Sequence, residues 1–117
     1  MIRLQSITID LPYPPTANRY WRVWRGRPVK SAEARKYQTD VKRLWGSTPP
    51  ASSPVAVTLD VVRPQRRGDL DNTAKVILDA LNGCAYGDDS QIVELHMYRS
   101  DNKKAPGVKV TIERRGE

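Results

Sequence analysis

Two pairs of acids stand out in an otherwise basic chain. Asp69 and Asp71 follow directly on Arg66 and Arg67 in RRGDLDNTAKVILDALNG (residues 66–83), and Asp88 and Asp89 follow in YGDDSQIVEL. A helix start can use one acidic cap; it does not need a second carboxylate two residues away. Carboxylates crowded together repel and raise one another's pKa values. A hard divalent cation removes that penalty. Mg²⁺ needs only a few carboxylates and keeps its other positions for water and substrate phosphate. On a phosphodiester such an ion polarises the phosphoryl oxygen, lowers the pKa of a bound water and steadies the leaving oxygen. Lys75, one turn into the helix, is placed to offset phosphate charge or to orient the attacking water. The chemistry this points to is metal-dependent cleavage of nucleic acid.

Geometry sets a condition on that reading. Residues two apart on an α-helix point about 200° from one another, so Asp69 and Asp71 share a face only where the chain is still extended. Gly68 before them and Asp71 as an N-cap are consistent with a strand-to-helix junction. Asp88 and Asp89 stand at the start of the next strand, and the expectation is that the chain's return to the sheet brings them to the same place. The plain alternative is structural. Acids in a first turn favour the helix dipole by ~0.3–1 kcal/mol, and Asp71, Lys75 and Asp79 have the i, i+4, i+8 spacing of an ion-pair stripe.

The charge distribution gives the acids a setting. The 117 residues carry a net charge of +7, yet residues 69–94 hold six of the 13 acids and only one of the 20 Lys and Arg. A small domain that is so basic elsewhere suits a polyanionic partner, nucleic acid foremost. Arg19, Arg22, Arg25 and Arg27 interleave with Tyr20, Trp21 and Trp24, a pattern suited to phosphate contacts and base stacking. Asn18 either orders that loop or forms an Asx turn. His96 has no partner at zinc spacing, and nothing near Cys84 argues for a nucleophile. Lys103 and Lys104 read as solvated turn residues. A single cysteine, with no transmembrane stretch and no signal-peptide layout, makes a cytoplasmic location the expectation.

The elements that must position these residues are legible from periodicity. Residues 2–11 alternate as a strand with Ile7, Ile9 and Leu11 on one face. A Pro-punctuated loop with a short hairpin around Gly26 leads to a helix capped by Ser31, whose stripe is Ala34, Tyr37, Val41, Leu44 and Trp45. Val55, Val57, Leu59 and Val61 alternate as a strand ending at Pro64. The next helix faces the core with Leu70, Ala74, Ile77, Leu78 and Leu81 and stops at Gly83. Strands through Val93, Leu95 and Met97 and through Val108, Val110 and Ile112 complete the chain, and are expected to form an antiparallel hairpin. The order predicts one α+β domain over residues 1–117, a small mixed sheet with helices packed on one face.

DLDNTAKVILDALNG followed by YGDDSQIVEL resembles the RusA family of Holliday-junction resolvases. LPYPPTANRYWR and GRPVKSAEARKYQTDVKRL extend the likeness over nearly the whole chain. The resemblance implies a RusA-like fold and metal-binding acids at Asp69, Asp71 and Asp89, with the essential lysine at Lys75. It leaves Asp88 as a neighbour of a ligand and Asp79 as a structural residue. It further implies Mg²⁺ (or Mn²⁺) as cofactor, four-way or other branched DNA as substrate, and a homodimer making paired symmetric nicks. The DNA-binding set is then Asn18, Arg19, Arg22, Arg25, Arg27, Arg66 and Arg67. One departure is Gly68, which interrupts the basic run leading into D-L-D and puts phosphate contacts beside the metal in question. The rival reading is a non-catalytic basic nucleic-acid-binding protein whose acids serve only capping and solubility.

Overall fold

The computed structural model describes residues 6–64 and 70–115, and of Asp71 only the backbone. Its main sheet consists of β1 (Ser6–Leu11), β4 (Val55–Arg63), β5 (Ile92–Asp101) and β6 (Gly107–Arg114) in the order β1-β6-β4-β5. A separate hairpin joins β2 (Trp21–Trp24) to β3 (Arg27–Lys30) around Gly26, as the sequence predicts. The helices are a single turn, α1 (Ala17–Tyr20), then α2 (Ala32–Trp45) and α3 (Leu70–Leu81).

One face of the sheet is apolar and meets the helices. Val55, Val57, Leu59 and Val61 of β4 alternate inward, and Val108, Val110 and Ile112 of β6 join them. Against them pack Ala34, Tyr37, Val41 and Trp45 of α2 and Ala74, Val76, Ile77, Ala80 and Leu81 of α3. The opposite face is polar, with Thr8 Oγ1 3.1 Å from Thr111 Oγ1 across β1 and β6. This is the mixed sheet with helices on one side that the alternation predicts. Ser31 caps α2, accepting from the Ala34 amide at 3.1 Å, while Gly46 and Gly83 end α2 and α3 with positive φ.

Several expectations change. The last two strands do not pair with each other. β6 pairs antiparallel with both β1 and β4, and β5 pairs parallel with β4, so β4 lies between them. β4 is the most thoroughly apolar strand and takes the position with a neighbour on each side. The turn at residues 102–106 needs to cross only two strand spacings, about 10 Å. Leu44 lies off the α2 stripe and is 44% exposed. Along β5, Val93 and Leu95 are open to solvent and Met97 is half-buried, because α3 covers only part of this outermost strand, from which Ile92 and Met97 pack against the core. The single turn α1 is an addition to the predicted loop. It exists because fully buried Tyr20 anchors it, edge-on to Trp21 at 4.7 Å.

Candidate functional site

α3 is the spine of the candidate site. It begins at Leu70, so Asp71 lies in its first turn and is not its cap. Lys75 follows one turn later on an exposed position, and among the described residues it has no ion-pair partner. Asp69, Arg66 and Arg67 lie outside the described residues, as does the side chain of Asp71.

Asp79 turns away from the stripe that its spacing suggests. Its carboxylate accepts from Tyr20 Oη at 2.6 Å and Gln38 Nε2 at 3.4 Å, and pairs with Lys30 Nζ at 3.2 Å. One side chain thereby ties α3 to α1, α2 and the base of the β2–β3 hairpin. The structural role implied for Asp79 by the resemblance is the one its contacts describe. Burial first, then the hydrogen bond to Asp79, pushes the Tyr20 hydroxyl well above its ordinary range.

The two neighbouring acids of the second pair have different environments. Asp88 is the N-cap of a 3₁₀ turn (Asp89–Gln91) in a reciprocal capping box. Its carboxylate accepts from the Ser90 amide at 3.2 Å, and hydrogen bonding by the Ser90 side chain first, then by that amide, holds it below the usual carboxylate range. Gln91 closes the box from the other side. Its Oε1 accepts from the Gly87 and Asp88 amides, each at 2.9 Å, and its Nε2 donates to the Ala51 and Ser53 carbonyls. Asp89 is exposed, and among the described residues no hydrogen bond engages its carboxylate. Fixed backbone and free side chain suit a metal ligand, and the oxygen donor suits a hard cation. Gln91 was not singled out from sequence, although D-x-x-Q is a capping-box signature.

Tyr86 joins this turn to α3. Fully buried, it donates from Oη to the Leu78 carbonyl at 2.7 Å. Burial raises its hydroxyl pKa, and the nearby Asp89 carboxylate is the next cause. The Ala85 amide donates to the Leu81 carbonyl and the Ala51 amide to Ala85, which holds this segment at the C-terminal end of α3.

Asp89 therefore belongs with the end of α3, while Asp71 lies at its start. About 15 Å of helix axis separates Asp71 from Leu81 at ~1.5 Å per residue. The reason is topological. β4 and β5 are parallel, with Val55 opposite Ile92 and Arg63 opposite Asp101. A parallel crossover returns the chain to the beginning of the next strand, not to the end of the one it left. This path sets the Asp71 backbone and Asp89 toward opposite ends of α3, and among the described residues, which do not include Asp69 or the Asp71 side chain, no three metal-ligating side chains come together.

The DNA-facing candidates lie mostly on the hairpin. Asn18 and Arg19 on α1 and Arg22, Arg25 and Arg27 on the hairpin are all exposed, as are Lys103 and Lys104 in the late turn. His96 is exposed on β5, 3.2 Å from Glu94. Cys84 is buried with its thiol pKa raised by burial, which leaves it a packing residue. Among the described residues no helix is long and apolar enough to cross a membrane.

The family model for endodeoxyribonuclease RusA matches residues 12–113. The chain belongs to the RusA family. It is 33% identical to crossover junction endodeoxyribonuclease RusA of Escherichia coli K12 over 118 residues, covering 97% of this chain and 98% of that protein. Identity is also 33% to the Shigella sonnei protein of the same name and 34% to that of Enterobacteria phage 82, each match covering 97% of this chain and 98% of the relative. RusA membership fits the D-L-D-N and D-D-S-Q segments, the mixed sheet and the basic hairpin together.

Proposed function

We propose that this chain is a Mg²⁺-dependent endodeoxyribonuclease that acts as a homodimer, resolving four-way DNA junctions in recombination and repair by paired symmetric nicks. The observation that carries the reading is the difference between Asp88 and Asp89. One is consumed by a capping box, and the other is presented uncommitted by a turn held at four points. Asp69, Asp71 and Asp89 would hold the ion, Mn²⁺ being an acceptable substitute. The bound cation supplies a Lewis acid and a water of lowered pKa at the scissile phosphate. Lys75 neutralises phosphate charge one turn after Asp71, and Arg19, Arg22, Arg25, Arg27, Arg66 and Arg67, with Asn18, hold the backbone.

The α3 geometry supports a dimer that completes the site. With Asp71 and Asp89 at opposite ends of one helix, the acids of one protomer's α3 start meet Asp89 of a second copy across a two-fold interface. β5, which follows Asp89, favours such docking. It is an outermost strand of ten residues with Val93 60%, Leu95 40% and Tyr98 57% exposed, and a long open edge of this kind is normally covered. A four-way junction with two-fold character suits a C₂ pair.

The test is a mobile four-way junction incubated with and without Mg²⁺, with products mapped on every strand. Paired nicks at symmetric positions, abolished by chelator, are expected. Junction binding with no cleavage in Mg²⁺ or Mn²⁺ would establish the non-catalytic alternative.

A further inference from the structure

The tip of the β2–β3 hairpin carries an arrangement that phosphate binding alone does not require. Residues 19–30 hold Arg19, Arg22, Arg25, Arg27 and Lys30 and not one acid. At the tip, Trp24 is 60% exposed and Val23 79% exposed. The Arg25 guanidinium lies over the Trp24 ring, 4.5 Å from its centroid. Two-residue hairpin turns with positive φ at both positions favour Asn-Gly or Asp-Gly. Here Arg25 takes φ 51° and Gly26 φ 74°. An arginine in the left-handed region is a costly choice at a turn, and this one backs the indole. At its base the hairpin is anchored, by Lys30 to Asp79 and by the Ser31 amide to the Tyr20 carbonyl.

We propose that Trp24, backed by Arg25, is a base-stacking element that receives an unpaired base at the branch point of the DNA. The occupant is a nucleobase within a polyphosphate chain, because the platform is aromatic and every charged residue of the hairpin itself is cationic. Aromatic stacking tolerates any base, and flanking arginines hold the backbone. A regular duplex keeps its bases paired and gains little from such a platform, so Trp24 contributes selectivity for opened DNA. This inference rests on the proposed junction nuclease and assigns a residue which that reading leaves without a role.

The experiment uses the full chain in EDTA, with a four-way junction carrying 2-aminopurine next to the branch-point base, so that transfer of that base to Trp24 unstacks the probe, and a linear duplex of matched sequence. Wild-type protein is expected to raise 2-aminopurine fluorescence on the junction. Trp24→Ala should lose that rise and bind the junction on the order of tenfold more weakly, with less than a twofold change on duplex; Trp24→Tyr should recover most of both. Trp24 is exposed at a hairpin tip, and an unchanged circular-dichroism spectrum and melting curve will show that the variants fold. A Trp24→Ala protein that binds and unstacks the branch like wild type overturns the proposal. Cleavage in Mg²⁺ is scored separately. Wild-type cleavage with no Trp24 effect on unstacking removes the stacking element and keeps the nuclease; Trp24-dependent unstacking without cleavage does the reverse.

Discussion

Asp88 and Asp89 are the same side chain at adjacent positions, and their surroundings give them separate work. Asp88 folds back on its own backbone, so Asp88→Ala should lower the unfolding midpoint slightly and leave cleavage within a few-fold of wild type. Because its folded-state pKa is depressed, its contribution is present above the unfolded carboxylate range and is lost as pH falls through the folded value. Asp89→Asn should do the opposite: no measurable change in a urea melt, junction binding retained or tighter, and cleavage reduced by at least about 100-fold, the upper loss typical of disturbing even the supporting shell of a metal site. Equal losses of cleavage in the two variants would erase the distinction between them. The pair D-D was legible in the sequence as chemistry, and the resemblance favoured Asp89. The reason for that preference lies in Gln91, whose amide reaches segments 40 and 38 residues away at Ala51 and Ser53. Long-range contacts of this kind leave no periodicity to read.

At the scale of elements, Asp79 carries the joint between α3, α1, α2 and the hairpin. Asp79→Ala leaves Tyr20, Gln38 and Lys30 without their shared acceptor and should cost about 2 kcal/mol in chemical denaturation, as expected for hydrogen bonds to a charged group. Loss of less than ~0.5 kcal/mol would mean that the joint is slack. Tyr20, Tyr37 and Tyr86 each have hydroxyl pKa values raised above the ordinary tyrosine value of 10.0, with burial as the leading cause. A raised folded pKa contributes stability below the unfolded value that is lost as pH rises, so the fold should weaken above about pH 10. Absorbance at the phenolate band should show these three tyrosines ionising together with unfolding, not before it. Helices α2 and α3 and the alternating strands were legible because amphipathic periodicity is local. The sheet order was not. β4 takes a place with a neighbour on each side because its inward residues Val55, Val57, Leu59 and Val61 are apolar, the buried Arg63 at its end being paired with Asp101, and a hairpin between β5 and β6 could not be distinguished from two strands flanking a third.

For the whole molecule, charge and topology make separate demands. With 20 Lys and Arg against 13 acids, six of those acids within residues 69–94, junction binding should be strongly electrostatic. Affinity should fall by about 1,000-fold or more between ~50 and ~200 mM salt if six or more phosphates are engaged. A shallow salt dependence would contradict the assignment of the hairpin arginines to the backbone. The parallel crossover sets Asp71 and Asp89 toward opposite ends of α3, and the proposed two-chain site would group the acids again. Coexpressed Asp71→Asn and Asp89→Asn chains test this most directly, assayed on a four-way junction in Mg²⁺. Each variant alone should be inactive. A mixed dimer contains one intact set of acids and should nick one strand of the junction. A mixed preparation confirmed to contain heterodimers, yet as inactive as either variant alone, would contradict the shared site.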